Sequence, residues 1–98
     1  MLGRIVHYRL SDDDVDSIAR RRAELAKLSA EAGVSFNAVE AGEVYPATVV
    51  ACFDGDGSVN LQVHLDGVDA HWATSRAEGA EAGMWCWPAR VQEASAVG

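Results

Sequence analysis

Residues 58–76 read SVNLQVHLDGVDAHWATSR, the one stretch of this chain where a two-residue alternation runs into a tight turn and out again. Val59, Leu61, Val63 and Leu65 fall on one side of an extended backbone, and Asn60, Gln62 and His64 on the other. That pattern predicts a strand with one dry face and one wet face. Asp66-Gly67-Val68-Asp69 supplies turn chemistry, and residues 70–76, carrying Trp72, read as the returning antiparallel strand. The remainder of the chain then has the task of covering the dry face of this hairpin.

On the N-terminal side, residues 4–10 alternate in the same way, with Val6, Tyr8 and Leu10 opposite Ile5, His7 and Arg9, and read as a first short strand. At Ser11 the signal changes to a helix start. Ser11 followed by Asp12, Asp13 and Asp14 places a hydroxyl cap and three carboxylates against the exposed amides of a first turn, and Ser11-x-x-Asp14 is a capping-box variant. The helix is expected over about residues 12–32, ended by Gly33 in the left-handed conformation. Its apolar stripe is Val15, Ile18, Leu25, Leu28 and Ala32. Arg21 and Arg22 fall in or beside that stripe, which leaves two readings open. Their stems lie along the core edge while the guanidinium groups meet solvent or carboxylates of the acidic half, or they form a partner contact or anion site, since guanidinium binds carboxylate and phosphate in a bidentate way. Asp16 with Arg20, Arg20 with Glu24, and Lys27 with Glu31 stand at the spacing of a solvated helix face.

Residues 34–42 read as a connector. Residues 43–53, EVYPATVVACF, form the next strand, apolar nearly throughout, as expected where both faces are covered or the strand bends across a barrel. Pro46 puts the start of that strand at an edge, an entry point or a bulge. Asp54-Gly55-Asp56-Gly57 is a turn that lacks the ligand series of a calcium loop. After the hairpin, residues 78–83 form an acidic loop and residues 84–91, MWCWPARV, a last strand with Trp85 and Trp87 on one face, Met84 and Cys86 on the other, and Pro88 marking an edge. Residues 92–98 are expected to fray. The fold class is therefore α+β in one domain, residues 1–98: a small antiparallel β-barrel or curled sheet of four to five strands, spanning about residues 43–91 with a first strand at 4–10, covered by one long N-terminal amphipathic helix.

With 98 residues and 49% hydrophobic side chains the chain supports a single small core. The net charge of −7 is unevenly placed. Residues 1–39 carry equal numbers of basic and acidic side chains, so the whole excess lies on residues 40–98. A surface of that sign repels phosphate backbones, and nucleic acid is not expected as a partner. No apolar run approaches the roughly 20 residues that cross a bilayer, and MLGRIVHYRL is broken too early by His7 and Arg9 for a signal peptide. The expectation is no membrane association and a protein kept in a cytoplasm. Cys52 and Cys86, without CxxC spacing, read as buried thiols, paired with each other only if their strands are neighbours.

Chemistry finds little purchase in these residues. His7, His64 and His71 each alternate onto the polar side of a strand. A metal would draw its further ligand from Asp66, Asp69 or His7, a weak signal, so no metal site is expected. No serine sits in a nucleophile elbow, no glycine-rich phosphate loop precedes a lysine, and the carboxylates cluster in turns and the helix start; no catalytic residue and no cofactor are expected. Trp72, Trp85 and Trp87 are stronger candidates, either filling a core with few other large residues or forming an aromatic platform.

In HYRLSDDDVDSIARRR, GEVYPATVV, VNLQVHLDGVDAHWATSRAEG and GMWCWP the chain resembles a family of small uncharacterised proteins encoded by actinobacterial phages and by actinobacteria that carry prophages. The likeness runs over residues 7–88, is most specific in NLQVHLDGVDAHWATS, and departs at Val68 and Cys86, where the family tends to carry a polar residue and a histidine. It implies a viral or prophage origin and brings no catalytic residues with it. The roles it implies are a virion or assembly accessory, or a host-interacting protein, located in the host cytoplasm or the virion. The expected function is thus a non-enzymatic phage-type protein–protein interaction module with a viral or host protein partner, self-association, or both. Its expected surface comprises Arg21, Arg22, Asn60, Gln62, His64, Trp72, Trp85 and Trp87. The alternative is a small-ligand or nucleotide-binding module, an anti-defence sponge in which tryptophan stacks a ring and arginine holds its phosphate.

Overall fold

The structure, a computed structural model, describes residues 1–28 (side chains through Leu25), 37–53, 55, 57–66 and 69–88. The expected helix end at Gly33, turn residues Asp54, Asp56, Gly67 and Val68, and the tail at 92–98 lie outside the described residues. Six elements follow one another: β1 (Ile5–Arg9), α1 (Asp12–Leu28), β2 (Val44–Cys52), β3 (Val59–His64), β4 (Ala70–Arg76) and β5 (Trp85–Cys86). The strands form one five-stranded sheet in the order β4-β3-β2-β1-β5, with every ladder antiparallel.

The alternation in β3 sets the two faces. Val59, Leu61, Val63 and Leu65 are buried, Asn60 is half-buried, and Gln62 and His64 are exposed. Pairing carries this division across the sheet, since residues opposite one another share a face. Ala47 and Val49 of β2, Val6 and Tyr8 of β1, His71 and Ala73 of β4, and Trp85 of β5 join the inner face, and Leu10 and Ile18 complete the core.

Several expectations are corrected. The sheet is not closed into a barrel. β4 and β5 are its edges, and β5, two residues long, supplies too little backbone for a closing ladder. Instead the chain leaving β4 folds onto β5: the Trp85 amide donates to the Ala77 carbonyl and the Gly79 amide to the Trp85 carbonyl. Over its described residues, Asp12–Leu28, the helix leans on β4 rather than lying over the whole sheet. Ile18 is buried, Val15 is packed against the core and Leu25 is 40% exposed, so among the described side chains of the stripe it is those of the first turns that pack. Among the described residues β2 is not covered on both sides, and Val44 and Val50 of its outer face are exposed. The expectation for Pro46 holds in its entry-point form: it stands just before the β2–β3 ladder, whose pairing begins at Ala47↔Val63, and so blocks no bond there. Arg20 reaches the Ser17 hydroxyl rather than Asp16 or Glu24.

Register shifts at Val49/Ala51 and at Val59/Leu61 bend the sheet. At the second, Ser75 takes a left-handed φ of 55°, and its amide donates to Asn60 Oδ1 at 2.8 Å. An L side chain in that conformation costs about 1–2 kcal/mol, against roughly 0.5–1 kcal/mol for the extra freedom glycine has when unfolded. Ser75→Gly is therefore expected to stabilise the domain by about 0.5 kcal/mol in urea unfolding. A loss of stability would show that the Ser75 side chain contributes a contact that outweighs the strain.

Candidate interaction surface

Two carboxylates hold the helix to the sheet, and they decide which polar residues remain free for a partner. The first is Asp14, 1% exposed. Ser11 and Asp14 form the reciprocal capping box, the Asp14 amide donating to Ser11 Oγ at 3.1 Å and the Ser11 amide to Asp14 Oδ2 at 2.9 Å. The same Oδ2 accepts from the Ser11 hydroxyl and from the Tyr8 hydroxyl of β1, while Oδ1 accepts from His71 Nε2 and the Arg76 guanidinium, both at 3.0 Å, at the two ends of β4. Burial works against ionising Asp14, but the hydrogen bonds from His71, Tyr8 and Ser11 outweigh it and hold the carboxyl well below its usual range. Burial, and then the bond to Asp14, push the Tyr8 hydroxyl far above its ordinary value, so it stays a donor.

The second is Asp69, at the foot of β4. Arg21 grips both of its oxygens at 2.6 and 2.7 Å, Arg22 Nε donates to Oδ2 at 2.8 Å, and the Ala70 amide donates to Oδ1. Arg21 also donates to the Ala70 carbonyl, and Arg22 to the Asn37 carbonyl. Burial opposes the charge on Asp69, yet the bonds from Arg22 and Arg21 lower its pKa. Of the two readings of these arginines, pairing with the acidic half is the one observed. Hydrogen bonds to a charged group contribute roughly 1.5–3 kcal/mol, and Arg21 is partly exposed, so Asp69→Ala is expected to destabilise by about 2 kcal/mol. A change below about 0.5 kcal/mol would show that the clamp is idle.

The candidate residues consequently divide into three groups. Arg21 and Arg22 are committed to Asp69. Asn60, Gln62, His64 and Trp72 share the outer face, where Gln62 stands opposite both Trp72 and Thr48, and Thr48 opposite Ile5, making one row across four strands. His64 Nε2 is 2.8 Å from Thr48 Oγ1, and Trp72 is 67% exposed. Trp85 and Trp87 sit at the opposite edge. Trp85 is buried, with its indole N–H donating to the Arg76 carbonyl at 3.2 Å, and Trp87 meets it edge-on at 5.6 Å beneath the Arg4 guanidinium. The three tryptophans do not form a common platform, because Trp72 stands on the outer face with Gln62 whereas Trp85 is buried in the inner face.

His71 is a further correction. It pairs with Val63 and is buried against Asp14, on the face opposite His64, so those two imidazoles do not meet. Both cysteines are free and exposed rather than buried, and β1 lies between the strands that bear them. Among the described residues no group of three or more His, Cys, Asp or Glu gathers as a metal site, and no helix is long and apolar enough to cross a membrane.

On the outer face, strand positions Ile5, His7, Arg9, Val44, Pro46, Thr48, Val50, Asn60, Gln62, His64, Ala70, Trp72, Thr74 and Cys86 include no Asp or Glu, in a chain of net charge −7. Sequence reasoning found Trp72, Gln62 and His64; it set Ile5 opposite Val6, Tyr8 and Leu10 without counting it in the surface, and it missed Thr48 and Val50, whose outward phase follows only from the register. No protein-family model, curated protein or solved structure matches the chain.

Proposed function

We propose that this chain is a non-enzymatic protein–protein interaction module of the phage type, and that it self-associates through the outer face of its sheet. The observation that carries this reading is Trp72, two-thirds exposed at the end of the row Trp72, Gln62, Thr48, Ile5, with exposed Val44 and Val50 on the same face. Large aromatic side chains of this kind anchor interfaces, and two sheets pack face to face at about 10 Å. A copy carrying the same net negative charge is repelled by most of the surface, but not by a face whose strands bear no carboxylate. Five strands at about 4.8 Å and six residues at about 3.4 Å give roughly 500 Å² in projection, which suits an association in the micromolar range. The phage resemblance supplies the setting: an accessory of virion assembly, or a host-interacting protein whose contact surface is multiplied by assembly.

The small-ligand alternative has less support. The guanidinium groups that a phosphate would need are bound to Asp69, and Trp72 lies on the outer face, apart from them. Sedimentation equilibrium tests the proposal. The chain is expected to dimerise or assemble further between roughly 1 and 100 µM, and Trp72→Ala to weaken this by at least about tenfold. A chain that stays monomeric across that range contradicts it.

A further inference from the structure

The β1–β5 end of the same outer face, at the opposite edge from Trp72, holds a second feature. β1 and β5 pair so that His7 stands directly opposite Cys86, which places their Cβ atoms about 4.5–5.5 Å apart. Both line a pocket of about 70 Å³ that Met84 also lines and that Gly79 and Ala80 border. The Met84 sulfur lies so close over Gly79 that a Cβ there would collide with it, so this thioether is seated by the absence of a side chain. Cys86 is a free, exposed thiol, and among the described residues the His7 imidazole makes no hydrogen bond. The pocket thus gathers a thiol, a thioether and an imidazole, with no carboxylate in its lining.

We propose that Cys86, His7 and Met84 form a binding site for a soft monovalent d10 cation, Cu(I) being the physiological one. Thiolate and thioether ligands select Cu(I), and imidazole suits copper as well. A sulfur and a nitrogen each about 2.0–2.3 Å from one ion stand roughly 4 Å apart across it, a span that a cross-strand pair reaches. Charge chooses between ions. Arg9 lines the same pocket, with its guanidinium held by the Ala80 and Gly42 carbonyls, so a fixed positive charge borders the site. A divalent ion on one thiolate would leave excess positive charge beside that arginine, whereas Cu(I) with a thiolate is neutral. Binding releases the Cys86 thiol proton to solvent and involves no change of oxidation state.

The test is an anaerobic titration of the reduced full chain with Cu(I) against the chromophoric chelator bathocuproine disulfonate, repeated with Ag(I) as a redox-inert probe. One equivalent is expected per chain. Loss of groups that merely support ligands costs roughly 10–100-fold in affinity, so Cys86→Ser is expected to weaken binding by more than about 100-fold, and His7→Gln and Met84→Leu by about tenfold or more each. Cys52→Ser, which removes the other exposed thiol, is expected to bind as the parent chain does. The proposal is overturned if Cys86→Ser binds like the parent, if Cys52→Ser abolishes binding, or if His7→Gln and Met84→Leu both leave affinity unchanged, the behaviour of a solvent-exposed thiol acting alone. Thermal melts establish that each variant is folded, and Cys86→Ala replaces Cys86→Ser if serine disturbs the edge strand.

Discussion

Asp14→Ala is expected to cost about 3–5 kcal/mol in urea unfolding at neutral pH, because it removes an acceptor group shared by β1, α1 and β4 and strands the polar groups that surround it. Tyr8, Ser11, His71 and Arg76 all donate to this carboxylate. The Arg76 guanidinium and the Tyr8 hydroxyl would lose an acceptor that water reaches poorly. For a chain of 98 residues, total stability is of the order of 5–15 kcal/mol, so the loss approaches half of it. Asp14→Asn keeps the shape but turns one acceptor oxygen into a donor nitrogen facing other donors, and is expected to lose most of the same stability. A change under about 1 kcal/mol for either variant would show that the helix is held by apolar packing alone.

The same carboxylate fixes the acid limb of the stability curve. Its folded-state pKa lies below the ordinary 3.8, since the bonds from His71, Tyr8 and Ser11 overcome the effect of burial, and Asp69 is lowered in the same direction by Arg22 and Arg21. Below about pH 4 the unfolded chain therefore binds more protons than the native one, so stability rises with pH in that range. The contribution is fully present above the unfolded value and is lost as pH falls through the folded one. In Asp14→Ala this acid limb becomes shallower. At the other end, Tyr8 stays protonated in the fold, so stability falls as pH rises past its ordinary value of 10.0.

Trp85→Ala is the second large effect, about 3–5 kcal/mol, the range for truncating a large buried aromatic. Trp85 closes the core at the β5 edge, donates to the Arg76 carbonyl, and carries the two backbone bonds that bring residues 77–79 across to it. Trp72→Ala is expected to change stability by no more than about 0.5 kcal/mol, because the ring is out in solvent. The pair separates a structural tryptophan from a contact tryptophan by thermal or urea unfolding. Comparable losses for both would mean that Trp72 is packed and that the outer face is not bare.

How much of this was legible in the sequence follows from which signals are local. The alternations at residues 4–10 and 58–65 gave β1 and β3 with the correct inward set, and Ser11-x-x-Asp14 gave the helix start with its reciprocal cap, since each depends on neighbours in the chain. The phase of β4 was not legible. Ala70, Trp72 and Thr74 alternate as plausibly as His71, Ala73 and Ser75, and the polar His71 faces inward only because Asp14, 57 positions away in sequence, awaits it. Asp69 as the partner of Arg21 and Arg22 is equally non-local, although the stray arginines on an apolar stripe signalled that some carboxylate would meet them. Apolar β2 misled for a related reason: its outer valines signalled a covering layer, whereas the described structure leaves them exposed.

The bare outer face is measured most directly by fluorine NMR on the chain labelled with fluorotryptophan, in which the three indoles report separately and Trp72→Phe, Trp85→Phe and Trp87→Phe assign the lines. In dilute protein the Trp72 line is expected to show the full solvent isotope shift. As concentration rises through the micromolar range it is expected to move and lose that shift, while the Trp85 line stays in place. A Trp72 line already shielded in the monomer, or one unmoved while assembly proceeds, would contradict the assignment of that face as the contact surface.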